Sequence, residues 1–458
     1  MRGRNKNNIV SYVIIIIMLV LVGVGIYIYN SDSFEQNKPV VSIDDRVYWN
    51  MKDNLNLTIS DDTGLKYYKI TYIDGENDKV LESEVLTTPL KNIELSLEAP
   101  KLGIFYKKEK VKLIVEVTDI SKWNFFQGNS TTKEIELIID NTKPVANVVA
   151  NTYAIVRGGS GVVVVEVKDN NLSDMYITFN DKTRFELTPF YKENFYIALI
   201  AWPMDIENFG QISLVAKDLA NNTTITKVPF FYRESKFRSS NLNISDEFIE
   251  QISTEVLTNS NKPIDNDLRA RFLRANLELR GENVATIRRV GVSSMDTQMV
   301  SSFDITPFKR LHNSQTVAGY GDRRSYFYQE QQIDEQWHLG VDWASVKQAP
   351  IYNTNSGKVV FKDYLGIYGN SIIIEHGLGL ATLYAHTSSS GVDVGDDIAA
   401  NTHIANTGAT GAVFGDHLHF GVLVQGIEVN PLEWMDKNWI KTRIFDIIQS
   451  SKKAIDNK

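Results

Sequence analysis

An uninterrupted apolar run, IVSYVIIIIMLVLVGVGIYIY at residues 9–29, constrains this chain more than any other feature. It carries no charge, and about 20 such residues are what a helix needs to cross the hydrocarbon core of a bilayer. Arg2, Arg4 and Lys6 precede it, while Asp32 and Glu35 follow it. Cations confined to the leading side predict a cytoplasmic N-terminus and put everything after residue 30 across the membrane. Tyr27 and Tyr29 suit the membrane–water boundary. A cleaved signal peptide would have a shorter apolar core followed by a small-x-small site. YIYNSDSF at 27–34 offers no such site, so residues 1–30 read as a cytoplasmic tail and an uncleaved transmembrane anchor. A core helix of a soluble domain would keep a polar stripe, which this run lacks.

At 458 residues the chain exceeds one hydrophobic core, and about two to four domains are expected. The net charge of −8 gives no basic patch, which argues against nucleic acid as a partner. There is no cysteine, so disulfides, thiolate metal sites and a lipid-anchor cysteine are excluded. Any metal must be held by histidine, carboxylate or water.

Residues 39–234 alternate apolar and polar positions in short runs such as VKLIVEVTD and KEIELIID, the pattern of half-buried strands. The pattern recurs. VVVVEVKDNNLSDMYITF at 162–179 echoes LNLTISDDTGLKYYKITY at 55–72, and SLVAKDLANNTTITKVPFF at 213–231 echoes IVEVTDISKWNFFQGNSTTKEIELII at 114–139. Each unit is about 95 residues, the size of a β-sandwich. IIDNTKPV at 138–145 marks the junction, with Pro144 opening the second unit. The two units, 39–141 and 142–234, resemble bacterial Ig-like repeats. No cluster of catalytic side chains appears in them, so a spacer role is expected.

Residues 235–307 change character. Phe248, Ile249, Ile252 and Val256 fall on one helical face, with Ser245 placed to cap. Leu268, Phe272, Ala275 and Leu279 do the same, and Gly281 is placed to stop that helix. A helical connector is predicted, with its arginines on a solvated face.

Six of the seven histidines lie between His338 and His419. In HLHF at 417–420, a strand would put His417 and His419 on one face, roughly 6–7 Å apart at their Cα atoms, with Leu418 and Phe420 on the other. In HLGVDW at 338–343, Gly340 and Val341 make a poor helix, while full extension would put His338 and Asp342 about 13 Å apart. Donors around one ion at about 2 Å must be far closer. A bend near Gly340 is therefore predicted. TLYAH at 382–386 ends an apparent strand with His386. Spacing alone leaves open which histidine of HLH is a ligand.

HxGxD, then TLYAH, then HLHF followed by NPLEW at 430–434, resembles the LytM/lysostaphin-type zinc metallopeptidases. GYGDRR at 319–324, YGNSIIIEHG at 368–377 and NTGATG at 406–411 are similar to that family's glycine-arginine stretch, central hairpin and final turn. The resemblance covers about 308–434. It implies that His338, Asp342 and His419 bind zinc and that His386 and His417 are the catalytic pair. Three protein ligands leave one position open, the catalytic rather than the structural arrangement. One departure stands out: RSYFYQEQQIDEQWH at 324–338 is longer and more polar than the family's usual link, and is expected to be a substrate-specific or occluding loop. His376 is expected to be structural, and His312 and His403 have no motif around them. Tyr320, Trp337, Trp343 and Tyr384 are candidates to line a substrate groove, with packing as the competing role.

The expected molecule is mainly β: an N-terminal transmembrane helix, two Ig-like β-sandwiches, a helical connector, an antiparallel β-fold zinc metallopeptidase domain over 308–440 and a C-terminal tail over 441–458. The resemblance implies an endopeptidase that hydrolyses peptide cross-links of peptidoglycan, with its catalytic domain periplasmic or extracellular and its anchor in the cytoplasmic membrane. The alternative is a non-catalytic LytM-like activator of cell-wall amidases. Loss of a ligand would mark that alternative, and none is lost.

Overall fold

The structure is a computed structural model that describes residues 6–75, 78–101 and 108–458; Arg2 and Arg4 lie outside the described residues. The chain divides into two units, Met1–Lys143 with Lys217–Asn222, and Pro144–Ala216 with Thr223–Lys458.

The first unit begins with a helix, Lys6–Asn30. Its stretch Ile9–Asn30 is long and apolar enough to cross a membrane, and it buries none of its side chains in protein. A six-stranded sheet follows, in the order Val40–Ser42, Leu55–Ile73, Lys110–Asp119, Ser130–Ile139, Arg46–Trp49, with Lys79–Leu97 also paired to Leu55–Ile73. Strict alternation builds its core: Val111, Leu113, Val115 and Val117 are all buried along one strand face. The register of Leu55–Ile73 against Lys79–Leu97 slips between Ser60 and Leu65, so Asp61–Gly64 leaves the ladder.

In the second unit, strands within residues 145–216 and 223–227 form two four-stranded sheets around a core that includes the fully buried run Val162–Val165. The next segment departs from a purely helical connector. Ser239–Asn243 is a strand that pairs in parallel with Asp322–Tyr328. Ser245 caps the following helix as expected, accepting a hydrogen bond from the Phe248 N–H at 3.2 Å. Gly281 does not stop the next helix, which runs on to Ser293. Burial of Asn283 and Ile287 beyond it outweighs the unfavourable propensity of one glycine.

The expected loop at 324–337 is instead a hairpin, Asp322–Tyr328 and Gln331–His338, closed by Gln329 and Glu330 at φ 48° and 63°. Both central residues in the left-handed region match the twist of a two-residue turn. The expected tail at 441–458 is helical as well, through Lys441–Phe445 and Asp446–Asp456. Ile444, Ile448 and Ile455 share its buried face.

The largest sheet runs Gln315–Ala318, Val341–Ala344, Leu418–Val424, Leu380–Ala385, Asn370–Glu375, Gly357–Tyr364, Asp397–Ile398, with antiparallel neighbours throughout. Its two faces differ. Trp343, Tyr384, Leu418 and Phe420 belong to one core. Ile373, Ala381, Leu383 and Leu423 on the other face are covered by Val256, Leu257, Ala275, Leu279 and Ile287 of the helices. Those helices complete a core rather than merely shading a groove. A fragment over 308–440 would return these sheet side chains to water, at about 1.5–3 kcal/mol for each large one.

Candidate metal centre

Asp342 and His419 face each other across the paired strands Val341–Ala344 and Leu418–Val424. His338 arrives from a different sheet. The strand Gln331–His338 ends, Leu339 and Gly340 make the corner, and Val341 begins the next strand. The bend brings His338 Nε2 to 3.1 Å from Asp342 Oδ2, a contact extended backbone forbids. Gly340 is needed for a second reason: a Cβ there would lie 2.4 Å from His419 Cε1 and 2.5 Å from its Nε2.

Three donors therefore converge. His419 Nδ1 lies 2.9 Å from Asp342 Oδ1, and His338 Nε2 lies 3.2 Å from His419 Nδ1. A tetrahedral ion with bonds of about 2.0–2.1 Å needs donors about 3.3 Å apart, close to the 2.9–3.2 Å found here. All three residues are buried. A backbone carbonyl fixes the tautomer of His338. His338 Nδ1 is 2.8 Å from the Gly319 oxygen, which only accepts, so Nδ1 donates and Nε2 turns a lone pair to the centre. Two ring nitrogens facing each other beside a carboxylate form a donor set suited to a cation. Burial raises the Asp342 carboxyl pKa, but the contacts with His338 and His419 outweigh it and hold the group well below the usual carboxylate range. Burial pushes the His419 pKa down, keeping that ring neutral.

Two further histidines stand beside the donors. His386 follows the strand Leu380–Ala385 with φ 61°, a left-handed conformation that turns its ring out of the strand pattern. Its ring centroid is 5.0 Å from that of His417 and 5.8 Å from that of His419. His386 Nδ1 donates to the Thr410 carbonyl and His417 Nδ1 to the Gly415 carbonyl, both at 2.8 Å, which leaves each Nε2 free to accept. Burial, reinforced by His419 and His417, pushes the His386 pKa down to about 3. His417 precedes the strand rather than lying in it, and its Nε2 is 3.9 Å from Asp342 Oδ2.

The remaining candidates fall elsewhere. Trp343 stacks on Phe420 at 5.0 Å and Tyr384 meets the same ring edge-on, on the sheet face opposite the donors. The period of two explains this, since Trp343 adjoins Asp342. Trp337 likewise adjoins His338, and lies under the Arg157 guanidinium and against Phe237. The Tyr320 hydroxyl donates to the Glu428 carbonyl at 3.1 Å. These four are held by packing and local bonds. His376 bridges the Ser356 carbonyl and the Thr382 hydroxyl. His403 lies beside the ring of Tyr352, and His312 is outside the cluster. One side chain had no role assigned from sequence: Arg324, whose Nη2 is 3.7 Å from Asp342 Oδ2. Its signal was the GYGDRR stretch. The orienting carbonyls of Gly319, Thr410 and Gly415 carry no side-chain signal at all.

Comparison with known proteins places this arrangement. Residues 336–431 match Peptidase family M23. The chain is 36% identical over 95 residues to the DD-carboxypeptidase/endopeptidase Mpg of Neisseria meningitidis, covering 21% of this chain and 22% of that protein. It is 38% identical over 96 residues to the peptidoglycan DD-endopeptidase ShyB of Vibrio cholerae, with the same coverages of 21% and 22%. It is 36% identical over 81 residues to the murein hydrolase activator EnvC of Escherichia coli, covering 18% and 19%. The chain thus spans about a fifth of the length of the curated relatives it matches. The match encloses the three converging donors and both flanking histidines, and residues 336–431 are a domain of peptidase family M23, of the LytM/lysostaphin type.

Proposed function

We propose that this chain is a zinc-dependent endopeptidase that hydrolyses the peptide cross-links of peptidoglycan. The observation that carries the reading is the complete polar set: His338, Asp342 and His419 converging as donors, with His386 and His417 beside them offering free Nε2 atoms. Zinc, when bound, supplies a Lewis acid for the scissile carbonyl and makes water reactive near neutral pH. The two flanking histidines do the proton work. Each holds its Nδ1 proton on a backbone carbonyl, so its Nε2 can take a proton from the attacking water and return it to the leaving amine. Burial keeps the His386 ring neutral, so its Nε2 lone pair is open to accept a hydrogen bond from the attacking water. Water adds across the peptide bond, giving a carboxylate and an amine.

The likeness to EnvC favours a second reading, an activator of amidases. An activator needs a surface and has no use for the two proton-transfer histidines, so the intact set favours the enzyme. The two differ in products. Zinc-loaded full-length chain in detergent, incubated with purified sacculi, should convert cross-linked muropeptides into monomers with a new free amine, read by mass analysis. Release of whole stem peptides from glycan, or no change, would contradict the endopeptidase.

The same reading places Ile9–Asn30 as a single-pass anchor in the cytoplasmic membrane, with the M23 domain on the non-cytoplasmic side. Carbonate-washed membranes should retain the full-length chain. A soluble form beginning near residue 30 would show a cleaved leader instead.

A further inference from the structure

A second cluster of ligating side chains lies in the first unit, away from every residue used above. Glu35 belongs to the segment after the apolar helix, Asp61 to the bulge in Leu55–Ile73, and Asp119 to the end of Lys110–Asp119. One oxygen from each lies within 4.8 Å of the others. Asp119 is fully buried, and Asp61 is only 9% exposed.

Hydrogen bonds orient these carboxylates and leave oxygens over. Asp61 Oδ1 accepts from the Gly64 N–H at 2.7 Å and from both the N–H and the hydroxyl of Thr63 at 2.9 Å. Asp119 Oδ1 accepts from the N–H groups of Ser121 and Asn129, and Asp119 Oδ2 from Asn129 Nδ2 at 2.7 Å. Glu35 Oε2 accepts from the Thr63 hydroxyl at 3.2 Å. Asp61 Oδ2 and Glu35 Oε1 are buried with no partner. Among the described residues, no lysine or arginine forms an ion pair with any of the three. Gly128, at φ 90°, keeps the space beside Asp119 open: a Cβ there would lie 2.7 Å from Asp119 Oδ1. Burial, then the charges of Asp61 and Asp119, raise the Glu35 pKa, the expected result of like charges gathered without a counter-ion. A buried carboxylate oxygen without a partner is costly, and two of the three residues of this cluster carry one.

We propose that Glu35, Asp61 and Asp119 form a calcium site that fastens the segment after the apolar helix to the first β unit. The donors are all hard oxygens, which exclude a soft-metal site. Three carboxylates from separate segments suit calcium, which takes about six to eight oxygens at about 2.3–2.6 Å in adaptable geometry and completes its shell with water. Magnesium demands a tighter octahedron, which three independently held carboxylates do not enforce. The segment is already seated there. The Glu35 carbonyl accepts from Ser121 Oγ at 2.6 Å and Asn129 Nδ2 at 2.9 Å, and the Ser33 carbonyl accepts from the Lys122 N–H at 2.7 Å. The ion would add a link across three segments distant in sequence, stiffening the join between the apolar helix and the first unit. The aspartates recur in sequence in the second repeat, at Asp169 and Asp218, so the test must read a difference between variants rather than an absolute count.

Full-length chain in detergent, freed of metal on a chelating resin, is titrated with calcium chloride by flow dialysis. Wild type should bind calcium with a dissociation constant of about 10⁻⁵–10⁻³ M. E35Q/D61N should lose one equivalent, or bind it at least about tenfold more weakly. E35Q alone lies outside the strands, so it should weaken binding while the far-ultraviolet circular dichroism stays that of wild type, even if the double variant misfolds. His419→Ala should bind calcium as wild type does. Calcium should also slow tryptic cleavage after Lys122, whose N–H is held by the Ser33 carbonyl, in wild type and not in E35Q. Equal calcium binding by wild type and both variants, loss of the same equivalent in His419→Ala, or a site filled by magnesium and indifferent to calcium would each overturn the proposal.

Discussion

His419→Ala should cost the protein its zinc. After dialysis, the variant should hold less than about a tenth of the wild-type content by elemental analysis and should show no hydrolysis. His419 Nδ1 is one of three converging donors, 2.9 Å from Asp342 Oδ1 and 3.2 Å from His338 Nε2. Even residues that merely orient a ligand change metal affinity by about 10–100-fold when removed, so loss of a ligand itself must cost more. It also leaves Asp342 buried with one of its two histidine partners gone. His417→Ala is the matched control. It removes an imidazole from the same strand end, but one whose Nε2 is 3.9 Å from Asp342 and outside the triad. That variant should keep most of its zinc. Equal, full zinc in both variants would show that the ligand set is misassigned.

His386→Ala and His417→Ala should keep zinc and fold, yet lose about 10²–10⁴ in kcat. That range corresponds to about 2.7–5.5 kcal/mol of transition-state stabilisation. Both rings are oriented by carbonyls of their own domain, Thr410 and Gly415, and neither is needed to hold the donors. Burial pushes the His386 pKa down to about 3, so the ring is neutral near neutral pH. Its loss should therefore lower kcat evenly across the working range instead of moving the acid limb of the profile. Zinc content and circular dichroism measured on the same samples separate a chemical defect from a folding one.

The sequence carried the donors more clearly than their surroundings. His338, Asp342, His386, His417 and His419 stand in motifs whose order is readable, and the poor helix-forming character of Gly340 already required a bend. The supporting shell was hidden for a physical reason: backbone carbonyls fix the tautomers, and every residue has one. Arg324 was visible only as part of a motif. Trp343 faces away from the donors because neighbours along a strand, here Asp342 and Trp343, point to opposite faces. Fold boundaries were lost where local propensity and tertiary packing disagree. Gly281 reads as a stop, but Asn283 and Ile287 are buried past it. The polar segment 324–337 reads as loop because its alternation is masked by charge, yet its ends pair as a hairpin whose last residue is His338. The isoleucines at 444, 448 and 455 recur at helical spacing, and the segment expected as a tail is a helix that buries them.

One assay bears most directly on the central claim. Purified cross-linked muropeptide dimer is incubated with zinc-loaded full-length protein in detergent, with no amidase present, and dimer and monomer are quantified by mass. Wild type should convert dimer to monomer, and His386→Ala and His417→Ala should leave it at least about a hundredfold more slowly cut. Dimer left intact by wild type, together with equal stimulation of an added amidase by wild type and both alanine variants, would contradict the enzyme and establish the activator.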